Sequence, residues 1–349
     1  MLIRKKTNLG LTMLLAGAGL AAASPAMAQN VTIYGRAHLS VDSLDNGLDS
    51  GTNVSSNSSR LGFRANTELD GGLTAFMQIE TNVRFDEGSG AWASRDSFVG
   101  LRGDWGQVRL GQFDTPLKVV RGKVDMFGDR IGDIRNLTRT ATGGTGEANI
   151  GNVFDERYQN GIHYRSPSFS DFTFDLHYTP HRTTGATVDN LRESWSTSLA
   201  YEVKGLYVGI AYETFEGDND LDPNAIRLGA YYDIGDWRVA GMYQTASDVP
   251  GGDRDVYGLG LSYKVGNYVL RGQWYQAGEN DLADSGANMF VVGFDRNFGR
   301  AFTLYFAYGV TNNDDNAAFR VSAGGRDTQL AAVTGENSSG LSLGFVYNF

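Results

Sequence analysis

Two sets of charged residues stand out by their spacing. Arg36, Arg60, Arg64 and Arg84 each occupy a polar position in a run where apolar and polar residues alternate, and Arg109 does so in a shorter run. Asp125, Asp129 and Asp133 follow one another at intervals of four inside a long stretch without alternation. Fixed charges of this kind act on ions and polar solutes; they do not by themselves make or break bonds. Chemistry of other kinds finds little support. No Ser or Thr stands in a recognisable hydrolase motif beside His38, His163, His177 or His181, as nucleophilic catalysis would need. The four histidines are spread over three alternating runs with no metal-ligand spacing. Asp218, Asp220 and Asp222 mimic the start of a calcium loop, but Pro223 stands in place of its glycine and Gly229 in place of its bidentate acid. The glycine-rich stretch at Gly143 to Gly146 lacks the Lys and Ser/Thr of a phosphate loop. Neither a metal nor a cofactor is expected.

The elements that carry these charges are strands. In Val31 to Asp42, Ile33, Ala37, Leu39 and Val41 face one way, and Tyr34, Arg36, His38, Ser40 and Asp42 the other, because side chains on a strand alternate. Arg60 to Leu69 repeats the pattern, with Arg60 and Arg64 opposite Leu61 and Phe63, and Thr74 to Phe85 continues it with Arg84 opposite Val83 and Phe85. An arginine on lipid at the bilayer midplane costs about 2–4 kcal/mol, so the charged face lines a lumen and the apolar face meets lipid. Thirteen further runs between residues 92 and 349 make sixteen strands in all, joined by seven tight turns and eight longer connections, with both termini at the short-turn end. About eleven residues at 3.3 Å, tilted some 40°, rise about 28 Å, close to the apolar band of an outer-membrane barrel. A soluble sandwich would have to bury the arginines between its sheets.

The chain's two ends agree. Leu341 to Phe349 alternates to its last residue, with Phe345, Tyr347 and Phe349 on one aromatic face. Arg4, Lys5 and Lys6 precede a largely apolar run from Leu9 to Ala23 that falls short of the roughly 20 residues of a spanning helix, and Ala26-Met27-Ala28 suits a signal peptidase. Residues 1–28 are therefore expected to be a cleaved signal peptide, and 29–349 the barrel. Removing three cations and no acids takes the formal charge from −10 to −13, which excludes nucleic-acid binding. There is no Cys for a disulfide. A mean hydropathy of −0.30 discriminates nothing, since a barrel with one apolar and one polar face averages to that value.

Sixteen strands enclose more space than side chains fill, so the lumen holds water unless something narrows it. The long connection from Asp114 to Glu156 is the natural element to do so. Its Met126, Phe127 and Ile131 could anchor it. The acid-rich connections at 216–222, 279–284 and 314–315 could share divalent cations with lipopolysaccharide phosphates. Trp105, Trp237, Tyr268, Phe298 and Phe349 lie beside the short turns, where an interfacial aromatic girdle belongs.

The motifs VTIYGR at Val31, SRLGFR at Ser59, GLTAFMQIE at Gly72, SRDSFVGLRGDWGQVRLGQFDTP from Ser94 to Pro116, FGDRIGD from Phe127 to Asp133 and the terminal Phe349 together resemble the Gram-negative general-diffusion porin family, over essentially the whole mature length. The resemblance implies an all-β, sixteen-stranded antiparallel transmembrane barrel in the outer membrane, multi-pass with periplasmic termini and assembled as a homotrimer. Each barrel would be a water-filled channel for passive diffusion of ions and small hydrophilic solutes. It also implies a third long loop folded into the lumen against a basic wall. Arg36, Arg60, Arg64 and Arg84, with Arg109, would form that wall, and Asp125, Asp129 and Asp133 the acidic side, setting a transverse field across a gap comparable to the roughly 8 Å Debye length. The C-terminal strand, with Phe345, Tyr347 and Phe349, would be read by the barrel-assembly machinery.

The same wall arginines could instead pair with Asp42, Glu68 or Glu80 and only stiffen the barrel. A substrate-specific porin is the alternative, since Tyr34, Phe76, Tyr207, Tyr231, Tyr275 and Tyr305 also point inward. An outer-membrane lipase or protease, or a plugged barrel, would be the other classes. Charge leaves the sign at the constriction open; the acid-rich mouths alone favour cations at low salt.

Overall fold

The computed structural model describes residues 30–139, 154–181, 192–217, 221–322, 326 and 330–349. Its architecture is one closed antiparallel sheet. Consecutive wall strands pair with one another, and the Asn30–Asp45 strand pairs with Ser338–Asn348 to seal the barrel. Eighteen hydrogen-bonded runs reduce to sixteen wall strands because two strands are broken. Asn30–Asp45 pairs through residues 39–45 with Ser50–Ser56 and through 30–36 with Arg60–Glu68, so these two runs are halves of one strand. Likewise Thr74–Arg84 pairs through 82–84 with Ser89–Ala91 and through 74–78 with Ser97–Gly103.

Serine hydroxyls repair both breaks. The His38 amide donates to Ser59 Oγ (2.9 Å), and the Asn82 and Glu80 amides donate to Ser94 and Ser97 Oγ (3.0 and 3.2 Å), so these three donors keep partners where the chain leaves the sheet. The sequence reading differs here in two places. Alternation ends the first strand at Asp42 and opens a strand at 92, whereas the first strand runs to Asp45, 50–56 is a strand, and the later run starts only at Ser97. Local alternation cannot reveal a break that side chains patch.

The outer face is apolar around the barrel, with Val31, Ile33, Leu259 and Leu343 all highly exposed. Gly35 holds the seam. The terminal Phe349 exchanges backbone hydrogen bonds with it (2.9 and 3.1 Å) and lays its ring where a Cβ on residue 35 would come within 2.3 Å of Phe349 Cζ. Phe345 and Tyr347 pack on Phe302.

The core lies inside the barrel. The chain leaves the Gly106–Asp114 strand into helix α1 (Pro116–Val124), where Thr115 Oγ accepts from the Lys118 amide and Pro116 occupies the first turn. Leu117, Val120 and Val124 form one buried stripe along α1, which packs on the inner face of strands Ser194–Val203, Leu206–Phe215 and Asn224–Ile234. A short helix α2 follows at Arg135–Thr138. Met126, Phe127, Ile131, Ile134 and Leu137 cluster with Met242, Val256, Met289, Val291 and Ala307 of the far wall and with Phe319 and Val321 of the final connection.

Candidate functional site

The long connection hangs on the far wall by polar ties as well as apolar ones. Gln273 accepts from the Met126 amide (3.1 Å) and donates to the Gly132 carbonyl (2.6 Å), Arg130 pairs with Asp295 (2.6 Å), and the Val321 carbonyl accepts from the Gly132 amide and the Asn136 side chain (both 2.7 Å). At its end Asp155 accepts both arms of Arg227 (2.6 and 2.8 Å), Arg121 Nε (3.1 Å) and the Thr138 hydroxyl (2.6 Å), and both Asp155 and Arg227 are fully buried. The Arg121 and Arg227 guanidinium groups hold the Asp155 carboxyl far below the usual range against the cost of burial.

Docked there, the loop leaves a gap against the opposite wall. The gap is a cavity of ≈ 460 Å³ whose lining is almost wholly polar. Arg60, Arg95 and Arg157 line it from the barrel, Lys118, Arg121, Arg135 and Arg139 from the loop, and Arg326 from the final connection, against Asp114, Asp129 and Glu156. Among the described residues the lining itself holds eight cations and three acids, an excess of +5, part of which Glu80, Asp96, Asp133 and Asp42 offset from just behind it. Each wall arginine has a carboxylate: Glu80 serves Arg95 (2.6 Å) and Arg60 (3.8 Å) while also accepting from the Tyr34 hydroxyl (2.9 Å), Asp96 serves Arg157 (2.5 Å), and Asp114 serves Arg157 (2.6 Å) and Lys118 (2.9 Å). Burial lowers the Lys118 ammonium to about 8, Asp114 opposing it.

The expected acidic side is largely neutralised within the loop. Asp133 takes Arg135 (2.6 Å) and Arg121 (3.2 Å), and Asp125 takes Arg121 (2.9 Å) and the amides of Phe127 and Ile134. Burial and the neighbouring Asp133 push Asp125 up to about 7. Only Asp129 faces the gap. It sits at φ 62° with its amide on Asp133 (2.7 Å), pairs with Arg135 (2.6 Å), and lies 3.6 Å from Arg36 on the wall. The interval of four therefore builds a loop-internal network rather than one row of facing acids, because the loop supplies its own arginines.

The expected basic wall is corrected in the same way. Arg60 lines the gap, and Arg36 stands beside it, 3.6 Å from Asp129. Arg84 does neither: it pairs with Glu87 (2.9 Å) at an external hairpin. Arg64 and Arg109 point inward nearer the short turns, Arg64 over the Tyr34 ring (4.1 Å) and Arg109 over Phe113 (4.2 Å) with His163 beyond. Asp42, a possible partner for those arginines, instead takes Arg326. Arg95 and Arg157 were missed because one lies in the strand break and the other opens its strand. The far wall did carry a readable signal: Ala287, Met289 and Val291 face inward while Phe290 and Val292 face lipid, and a strand apolar on both faces is covered on both. Among the described residues, no group of His, Asp and Glu could hold a metal.

A profile of the Gram-negative porin family matches residues 10–316. The chain belongs to that family. Outer membrane porin protein 32 of Delftia acidovorans is 30% identical over 96% of this chain and 99% of its own, and a monosaccharide porin of Halomonas sp is 26% identical over 88% and 96%. Among solved structures, an anion-selective porin from Comamonas acidovorans superposes with a TM-score of 0.78 at 25% identity, covering 92% of this chain and 99% of that one. This porin is accordingly an outer-membrane barrel that passes solutes by passive diffusion.

Proposed function

We propose that this porin is an anion-preferring diffusion channel whose selectivity is set by Arg60, Arg95, Arg157 and Arg139 around the loop-lined gap, with Asp129 as the opposing charge. The +5 lining carries this reading. It reverses the cation preference suggested by the net charge of the mature chain, because the Debye length of about 8 Å at physiological salt screens the mouths while the constriction acts on ions within contact range. Low-dielectric walls focus the lumenal field further. The likeness to an anion-selective porin supports the same sign.

The chain is further proposed to be exported by cleavage after Ala28, to be folded by the barrel-assembly machinery through Phe349, to sit among outer-membrane lipid and lipopolysaccharide, and to assemble as a homotrimer, as one similar porin crystallised in trimer form does. The inward tyrosines do not form a continuous track: Tyr305 bonds His38 (2.9 Å), Tyr275 is buried under the loop, and Tyr207 stacks on Tyr231 (5.7 Å), which disfavours a specific sugar path.

Zero-current potentials in planar bilayers under a salt gradient test the sign. Wild type is expected on the anion side, Arg60→Ala/Arg95→Ala displaced toward cations, and Asp129→Asn further toward anions. A cation-selective wild type would overturn the proposal.

A further inference from the structure

Below the constriction the lumen wall carries arginines held in another way. Strand register places Arg64, Gln78 and Phe98 in one row, Asn66, Phe76, Gly100 and Arg109 in the next, and Thr74, Arg102 and Gln107 in the row beside the short turns. All three arginines are on the inward face, since Leu101, Val108 and Leu110 alternate with them toward lipid. Arg102 and Arg109 are diagonal neighbours on paired strands, about 7–8 Å apart at their backbones.

Their partners are rings and neutral groups. Arg64 lies over Tyr34 (4.1 Å) and donates to Gln78 Oε1 (2.8 Å); Arg102 lies over Phe76 (5.8 Å); Arg109 lies over Phe113 (4.2 Å) and Phe98 (4.8 Å) and turns Nε (3.1 Å) and Nη2 (2.8 Å) to His163 Nδ1. Among the described residues none of the three forms an ion pair, in contrast to Arg60, Arg95 and Arg157 at the constriction. The face of an aromatic ring holds a guanidinium in place without cancelling its charge. A carboxylate would cancel it.

We propose that Arg102 and Arg109, with Arg64 above them, form a second oxyanion-binding station between the constriction and the periplasmic exit. Its ligands are multi-oxygen anions, carboxylates or phosphates, which the planar guanidinium fork binds with two hydrogen bonds. Two forks at this spacing suit an anion with two charged groups. An anion leaving the constriction is thereby passed to fixed charge rather than released into a neutral lumen. The station rests on the chain being an open channel and not on the sign of selectivity at the gap.

The probe is inorganic pyrophosphate, added to one side of the full-length porin in planar bilayers with directional insertion. From the short-turn side it is expected to reduce the wild-type current, with the half-blocking concentration at least tenfold higher in Arg102→Gln/Arg109→Gln and intermediate in Arg102→Lys/Arg109→Lys, which keeps the charge and loses the fork. Arg102→Gln alone, exposed beside its turn, is expected to raise it about threefold and decides the matter if the double variant does not fold. Absence of block in wild type from that side, or equal block in the Gln variants, overturns the station. The zero-current potential of the same bilayers reports separately on the constriction.

Discussion

The buried Asp155–Arg227 pair is the strongest test of how the constriction loop is held. Asp155→Asn keeps the shape of the side chain and its reach to Thr138 and Arg121, but leaves the Arg227 guanidinium, fully buried between Asp155 and Gln244, without its counter-charge. Breaking a buried pair from one side costs about 3–5 kcal/mol, because the remaining charge stays desolvated. The barrel ladder does not feel this loss; loop docking does, since Arg227 also donates to the Leu117 carbonyl at the head of α1 (2.9 Å). About 4 kcal/mol is roughly a thousandfold in the ratio of docked to undocked loop. The apolar ties of Phe127, Ile131 and Leu137 to the far wall still restrain its other half. Single-channel recording should therefore show greater current noise and a higher mean conductance, with an unchanged melting temperature for the barrel. Asp155→Asn/Arg227→Met removes both charges and is expected to recover most of the quiet wild-type trace, as coupled neighbours do in a double-mutant cycle. A single variant as quiet as wild type, or a double variant as noisy as the single, would refute the account.

Other outcomes follow from the same geometry. Burial leaves the Lys118 ammonium at about 8, so it is charged below that pH and neutral above; anion preference should decline as pH rises from 7 to 9, and Lys118→Met should flatten that decline in zero-current potentials. Gly35→Val fills the slot of the Phe349 ring and should lower the yield of heat-modifiable barrel in outer-membrane fractions, as deletion of Phe349 should, while leaving export intact; normal yield from both would remove the seam from the assembly argument. Arg84→Ala, whose side chain sits at an external hairpin, should leave the zero-current potential within a few millivolts of wild type, whereas Arg60→Ala should not.

The sequence by itself determined the barrel. A period of two sets the lipid face wherever arginines alternate with aliphatics, since only one assignment keeps charge out of hydrocarbon, and the turns at Gly71, Gly205, Gly235 and Gly266 space the strands. It also marked the connection after Asp114 as the one to enter the lumen and Met126, Phe127 and Ile131 as its anchors, and these three do pack against the inner wall. It could not say which charges would survive as charges. Asp125 and Asp133 are spent on Arg121 and Arg135, Arg84 on Glu87, and Asp42 on Arg326 some 284 residues away, while Arg95 and Arg157 come into the gap from a strand break and a strand end. Alternation reports on which side of a wall a side chain stands. Whether its charge faces water or a partner depends on what the fold brings against it, a near neighbour as Glu87 is to Arg84 or a distant one as Arg326 is to Asp42, and alternation reports neither.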